Sequence, residues 1–229
     1  NNIKQVFEII KNKKENNRIG LIFSAIGKTT NQLIEIGLLA SNADKNYQNK
    51  LDYLINLHND IIKELDLIEL EFLQKIDDIY TKIRNLCLGI FYLEELSLKI
   101  NDNLTAMGEI LSAKIIYHYF IKNLLTKKIK FIDSLKIIQT DSFFGKANVD
   151  HISSQKNINL NFQDLDFDIF IASGFIAMNS REEITTIGRG GGDYSAALYG
   201  SYLAVSRVEI WTDVDGIMTA DPRIISTSL

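Results

Sequence analysis

One cysteine, one proline, one tryptophan and three histidines are all that 229 residues contain of these types. A lone Cys87 excludes an intrachain disulfide and any multi-cysteine metal cage. Its setting, Asn85-Leu86-Cys87-Leu88, reads as a buried helix position and not a reactive thiol. His58, His118 and His151 are scattered, with neither metal-ligand spacing nor a nucleophile partner, and read as structural or surface residues. No apolar run approaches the ~20 residues that span a bilayer, and the N-terminus lacks a basic-then-apolar signal. The expectation is a cytoplasmic protein with no membrane partner. Positive charge is also scarce: 25 Lys and Arg against 29 Asp and Glu leave a net charge of −4. No basic surface advertises nucleic acid, and Lys127-Lys128-Ile129-Lys130 reads as a solvated loop.

What is present is an ordinary globular balance, 46% hydrophobic and 24% charged, enough to bury a substantial core. Apolar residues at 3, 6, 7 and 10 predict a helix. Ile19-Gly20-Leu21-Ile22-Phe23 predicts a strand buried on both sides. The small polar loop Ser24 to Asn31 then leads into a helix around Leu33 to Leu39, the opening of an α/β pattern. From Tyr47 to about Leu125 apolar residues recur in steps of three and four, which predicts amphipathic helices. They serve either as helices laid on a core or as a coiled-coil dimer seam. Strand signals return at Ile129 to Phe131, Ile137 to Thr140, Phe167 to Ala172 and Val208 to Thr212. Several are apolar on both faces, so a mainly parallel sheet covered on both sides is expected. Neither an internal repeat nor a low-complexity linker marks a domain boundary.

The densest signal is Thr185-Thr186-Ile187-Gly188-Arg189-Gly190-Gly191-Gly192-Asp193-Tyr194-Ser195-Ala196-Ala197. Glycines let backbone approach a ligand, and the helix that follows presents unpaired N–H groups and a partial positive charge, so anions settle there. Arg189 adds a planar fork for a carboxylate or phosphate. Asp193 stands at the helix start, where its side chain can cap free N–H groups. An ordinary surface turn needs one or two glycines, not four in five positions around an Arg.

Other candidates are weaker. Gly27-Lys28-Thr29 resembles the end of a P-loop, but that pattern needs a glycine where this chain has Ile22. Gly188 to Asp193 brushes against a dinucleotide fingerprint, and Asp193 there would repel a pyrophosphate. Glu209 to Arg223 combines a strand end at Thr212-Asp213 with a Val-Asp-Gly turn and Asp221-Pro222-Arg223. Such carboxylates suit a hydrated Mg²⁺ or a ribose hydroxyl, and Arg223 suits a phosphate. Taken alone, Glu109 reads as a surface helix residue.

Together, Ser24-Ala25…Thr29-Thr30-Asn31, Met107-Gly108-Glu109-Ile110-Leu111-Ser112, Thr185 to Ala197 and Glu209 to Arg223 closely resemble aspartokinase, in the family's order. The resemblance implies an α/β chain of the amino-acid-kinase fold: a three-layer αβα sandwich, its sheet mainly parallel, with a helical region over about 47–125. It implies transfer of the ATP γ-phosphoryl group to the β-carboxylate of L-aspartate, with Mg²⁺ as cofactor. By the same resemblance, Thr30, Glu109, Arg189, Gly190, Gly191 and Gly192 bind aspartate, and Asp193 is the catalytic-loop carboxylate. Thr212, Asp213, Met218 and Arg223 match the segment that contacts nucleotide. A homo-oligomer is expected of the full-length protein. Three departures stand out. The family's Lys-Phe-Gly-Gly-Thr-Ser segment does not precede Asn1, Gly192 replaces the usual Ser, and the chain stops at Leu229 before the regulatory ACT domains. The chain therefore resembles an interior fragment of a catalytic domain, incomplete at both ends and expected to be nearly inactive alone. Alternatives are another kinase of the same fold (for glutamate, acetylglutamate or UMP), a P-loop NTPase, or a non-catalytic helical dimerisation module.

Overall fold

The computed structural model describes residues 2–13, 18–125, 127–163, 166–188 and 190–211. Helix α1 (Asn2–Asn12) precedes strand β1 (Ile19–Phe23) and helix α2 (Thr29–Ser41). The long helices α3 (Asn46–Glu64), α4 (Leu70–Leu93) and α5 (Leu98–Asn123) follow. After them come β2 (Ile129–Ile132), the short α6 (Ser134–Ile137), β3 (Gln139–Thr140) and α7 (His151–Phe162). The described part closes with β4 (Ile169–Ser173), β5 (Ile176–Asn179), β6 (Ile184–Thr186) and α8 (Gly191–Tyr202).

Strands β1, β4 and β2 form a parallel sheet in the order β1-β4-β2, with Leu21 and Phe131 both opposite Ile171. Alternation along β4 assigns its two faces. Ile169 and Ile171 pack with Phe7, Ile10, Ile116 and Phe120 of α1 and α5. Phe170 and Ala172 pack with Ile158 of α7 and with Leu198 and Tyr199 of α8. The result is the three-layer αβα sandwich expected, and all five β4 residues are buried. β1 is less enclosed than its apolar sequence predicts, because it lies at the edge of the sheet and four of its residues are only half-buried. Beside this sheet, β3 runs parallel to β5, and β5 pairs antiparallel with β6.

The helical middle forms one core within the chain: Leu33, Leu54, Ile76, Ile83, Leu104 and Leu111 are all in it. That arrangement is the helices-on-a-core reading. Helix α5 is buried nearly all round because it lies between this core and the sheet, and its N-cap Ser97 accepts from the Ile100 N–H at 3.3 Å.

Two expected strands differ. The stretch 137–140 is split, with Ile137 ending the turn of helix α6 and only Gln139–Thr140 forming the strand. Residues 208–211 are irregular and pair with no described strand, so β-propensity alone does not make a strand there. Among the described residues, no helix is long and apolar enough to cross a membrane.

Candidate active site

Parallel strands deliver their C-terminal ends to one edge, where open α/β sheets bind ligands. Here β1 ends at Phe23 and β4 at Ser173, and the Gly174 N–H donates to the Phe23 carbonyl at 2.8 Å. The glycine junction docks on this edge. A Cβ on Gly174 would stand 2.9 Å from Gly192 Cα, and one on Gly192 would meet Ser24 Oγ at 2.5 Å. Neither approach tolerates a side chain without movement. The Phe175 N–H donates to Ser195 Oγ at 2.9 Å, and Ser195 Oγ donates to the Gly191 carbonyl at 2.7 Å. Gly190 takes the N-cap position of α8 with φ +74°, a conformation open to glycine. The cap is therefore Gly190 and not Asp193, which lies exposed in the first turn. Open space stands over Gly190, where a Cβ would meet nothing within 4 Å. The first N–H groups of a helix have no intrahelical acceptor, so this end suits an anion.

Helix α5 supplies the second component. Gly108 lets α2 cross close by, since a Cβ there would press on Thr29 Cγ2 at 2.9 Å. The approach brings Thr30 to Glu109, and the Thr30 hydroxyl donates to Glu109 Oε1 at 3.0 Å. The Ser112 hydroxyl donates to the Ser24 carbonyl at 2.7 Å, tying α5 to the end of β1. Glu109 is 3% exposed, not the surface residue its local sequence suggests. Its Oε2 is buried without a hydrogen-bond partner. Burial pushes the carboxyl up to about 7, while the Thr30 hydroxyl and the Ala25 N–H hold it down. Ala25 acts here as a nearby dipole, without hydrogen-bond geometry to Oε2. A buried acceptor that lacks a donor is poised for a cationic one.

The structure thus brings Thr30, Glu109, Ser24, Ser173 and Gly190 to Gly192 around one sheet edge, with Ser173 Oγ 3.5 Å from the Glu109 carbonyl. Arg189, Thr212, Asp213, Met218 and Arg223 lie outside the described residues. Ser24 belongs to the loop whose short polar donors are expected at a strand end, whereas Ser173 carries no sequence signal beyond following a predicted strand.

The remaining candidates have structural roles. Thr29 is buried and donates to the Ile26 carbonyl at 2.7 Å, so it does not face a ligand as a P-loop threonine must. His58 is buried with Nδ1 2.8 Å from the Leu54 carbonyl, and burial lowers its pKa. His118 stacks on Phe72, and His151 meets the Tyr202 hydroxyl at 2.7 Å. Cys87 is buried and its thiol is pushed up to about 12, which leaves it inert. A shallow groove of about 620 Å³ between Asp141 and Asp150 shares no residue with this site. Both carboxylates there accept local N–H groups, Asp141 from Phe143 and Asp150 from Ser153. Among the described residues, no cluster of His, Cys, Asp or Glu could hold a metal.

A family model described as the amino acid kinase family matches residues 1–228. The chain is 32% identical over 232 residues to a bifunctional aspartokinase/homoserine dehydrogenase of Buchnera aphidicola, covering 95% of this chain and 27% of that protein. It is 31% identical to aspartokinase 1, chloroplastic, of Arabidopsis thaliana, covering 97% of this chain and 39% of the relative. A crystal structure of E. coli aspartokinase III in complex with aspartate and ADP (R-state) superposes with a TM-score of 0.86 at 27% identity, covering 99% of this chain and 49% of that one.

Proposed function

Because the chain belongs to the amino acid kinase family, we propose that it carries the aspartate-binding part of an aspartokinase catalytic domain. This chain spans only 27% and 39% of the length of two such relatives, and the whole protein would transfer the γ-phosphoryl group of ATP to the β-carboxylate of L-aspartate. A carboxylate oxygen forms the new bond to phosphorus, ADP leaves, and 4-phospho-L-aspartate results.

One observation carries the reading: a buried carboxylate, Glu109, keeps an unpartnered oxygen at the same sheet edge on which a helix N-terminus suited to anions docks. An amino acid presents both complements, an ammonium for Glu109 and carboxylates for the glycine junction. Thr30 orients Glu109 through its hydroxyl. Arg189 is proposed to grip a carboxylate bidentately, with the N–H groups of Gly190, Gly191 and Gly192 beside it. Asp193, exposed in the first turn of α8, is proposed to orient the groups around the transferring phosphoryl. Thr212, Asp213, Met218 and Arg223 are proposed to contact the nucleotide.

The open space over Gly190 fits a phosphate or carboxylate. Bound Mg²⁺ would supply charge neutralisation on the phosphates, and Asp213 is the carboxylate proposed nearest to it. This chain's part in the chemistry is placement: phosphoryl transfer depends on alignment and charge complementarity more than on covalent catalysis.

Calorimetric titration of the chain with L-aspartate, L-glutamate, N-acetyl-L-glutamate and UMP tests the proposal. Saturable binding of L-aspartate, at least tenfold tighter than the other three, is expected. Equal or tighter binding of any rival would reassign the substrate.

A further inference from the structure

A second buried carboxylate on α5 has no place in the chemistry above. Asp102 is 0% exposed and meets no cation among its partners. Its Oδ2 accepts the Gly145 N–H at 2.8 Å and the Thr186 N–H at 3.1 Å, and its Oδ1 accepts the Thr186 hydroxyl at 2.7 Å. Burial raises its pKa, against these three donors. A carboxylate can accept from all three at once.

Both partners flank the glycine junction. Thr186 ends β6 and stands two residues before Gly188, which has φ +79°. Gly145 begins the segment whose Ala147 N–H donates to the Thr186 carbonyl at 2.8 Å. The neighbouring Lys146 side chain lies against Gly188, where a Cβ would meet its Cγ at 3.0 Å. Asp102 therefore gathers the strand entering the junction and the loop packed on its first glycine.

Along α5, Asp102 precedes Glu109 by seven residues. That spacing places both on one helix face, two turns or on the order of 10 Å apart. One rigid helix thus holds the ammonium acceptor at one point and the root of the anion-binding junction at another.

We propose that Asp102 is a positioning residue that sets the register of the glycine junction relative to Glu109. The proposal rests on the reading of that junction as the carboxylate-binding half of an amino-acid site.

Two variants separate positioning from charge. Asp102→Ala removes all three acceptors. Asp102→Asn keeps an oxygen for the two N–H groups, and its amide can donate to the Thr186 hydroxyl, which also accepts. In titrations of the chain with L-aspartate, Asp102→Ala should weaken binding at least tenfold and Asp102→Asn less than threefold. Without ligand, the amide resonances of Gly190, Gly191 and Gly192 should shift in Asp102→Ala and stay in place in Asp102→Asn. A core control, Ile83→Ala, should lose thermal stability yet keep both the affinity and those resonances.

A folded Asp102→Ala with wild-type affinity and unmoved glycine resonances would overturn the proposal. So would an Asp102→Asn as weak as the alanine variant, since charge would then be the operative property. If Asp102→Ala fails to fold, Thr186→Val deletes one donor alone, and unchanged resonances and affinity in it would be equally damaging. If the wild-type chain binds no aspartate, the substrate reading fails by itself, while the ligand-free resonances still decide the role of Asp102.

Discussion

Replacing Glu109 by glutamine should make the protein more stable at neutral pH and at the same time weaken its binding of the proposed substrate. The carboxyl is pushed from its ordinary 4.5 up to about 7 by burial. Each unit of pKa difference corresponds to about 1.4 kcal/mol, so the folded state carries a penalty of about 3 kcal/mol for ionising this group. The sign follows from the direction of the shift. Between pH 4.5 and about 7 the folded chain holds a proton on Glu109 that the unfolded chain has released. The favourable contribution is complete below pH 4.5, falls as pH rises to about 7, and is constant above. Glutamine is neutral throughout, can accept from Thr30, and places an amide where Oε2 has no partner.

Urea denaturation of both proteins at intervals from pH 4.5 to 8 provides the assay. The difference in unfolding free energy should grow from near zero at pH 4.5 to about 3 kcal/mol in favour of Glu109→Gln at pH 8. Burial also lowers the pKa of His58, and hydrogen bonds lower that of Asp141, so both act in the opposite direction. They are common to the two proteins and cancel in the difference. L-Aspartate binding should weaken roughly a hundredfold in the variant, through loss of the ion pair with the ammonium. A stability difference that does not change between pH 5 and 8 would refute the claim that Glu109 is buried and proton-bound in the ligand-free chain.

Three further outcomes are expected. Gly191→Ala should destabilise by about 1–3 kcal/mol in urea melts, because its Cβ would stand 2.7 Å from Phe175 Cδ2 and 3.1 Å from Phe175 Cα. Cys87, with its thiol pushed up to about 12, should resist Ellman's reagent at pH 8 until guanidinium unfolds the chain; fast labelling of the native state would contradict its burial. Lys28 is exposed ahead of α2 beside a buried Thr29, so Lys28→Ala should leave ATP binding within threefold of wild type by fluorescence titration. Loss of that binding would revive the P-loop reading.

The helices over 46–123, the buried strand β4 and the glycine junction were legible in the chain itself. Each is a local property: a period of three to four, a run of apolar residues, or a cluster of residues without Cβ ahead of a helix. The hairpin of β5 and β6 was not, because its strands are only 4 and 3 residues long and too short for alternation to register. The expected strand at 208–212 is irregular over 208–211, because β-rich sequence becomes a strand only when tertiary packing pairs it.

Charge and solvation were decided by tertiary structure alone. Nothing near Glu109 in sequence foretells its burial, because Thr30, 79 residues away, and the crossing of α2 at Gly108 remove it from water. Asp102 is held by Thr186 from 84 residues away. Backbone preference travels with neighbours in the chain and can be read there. The pKa of a carboxylate depends on which distant atoms displace its water, and only the folded packing determines that.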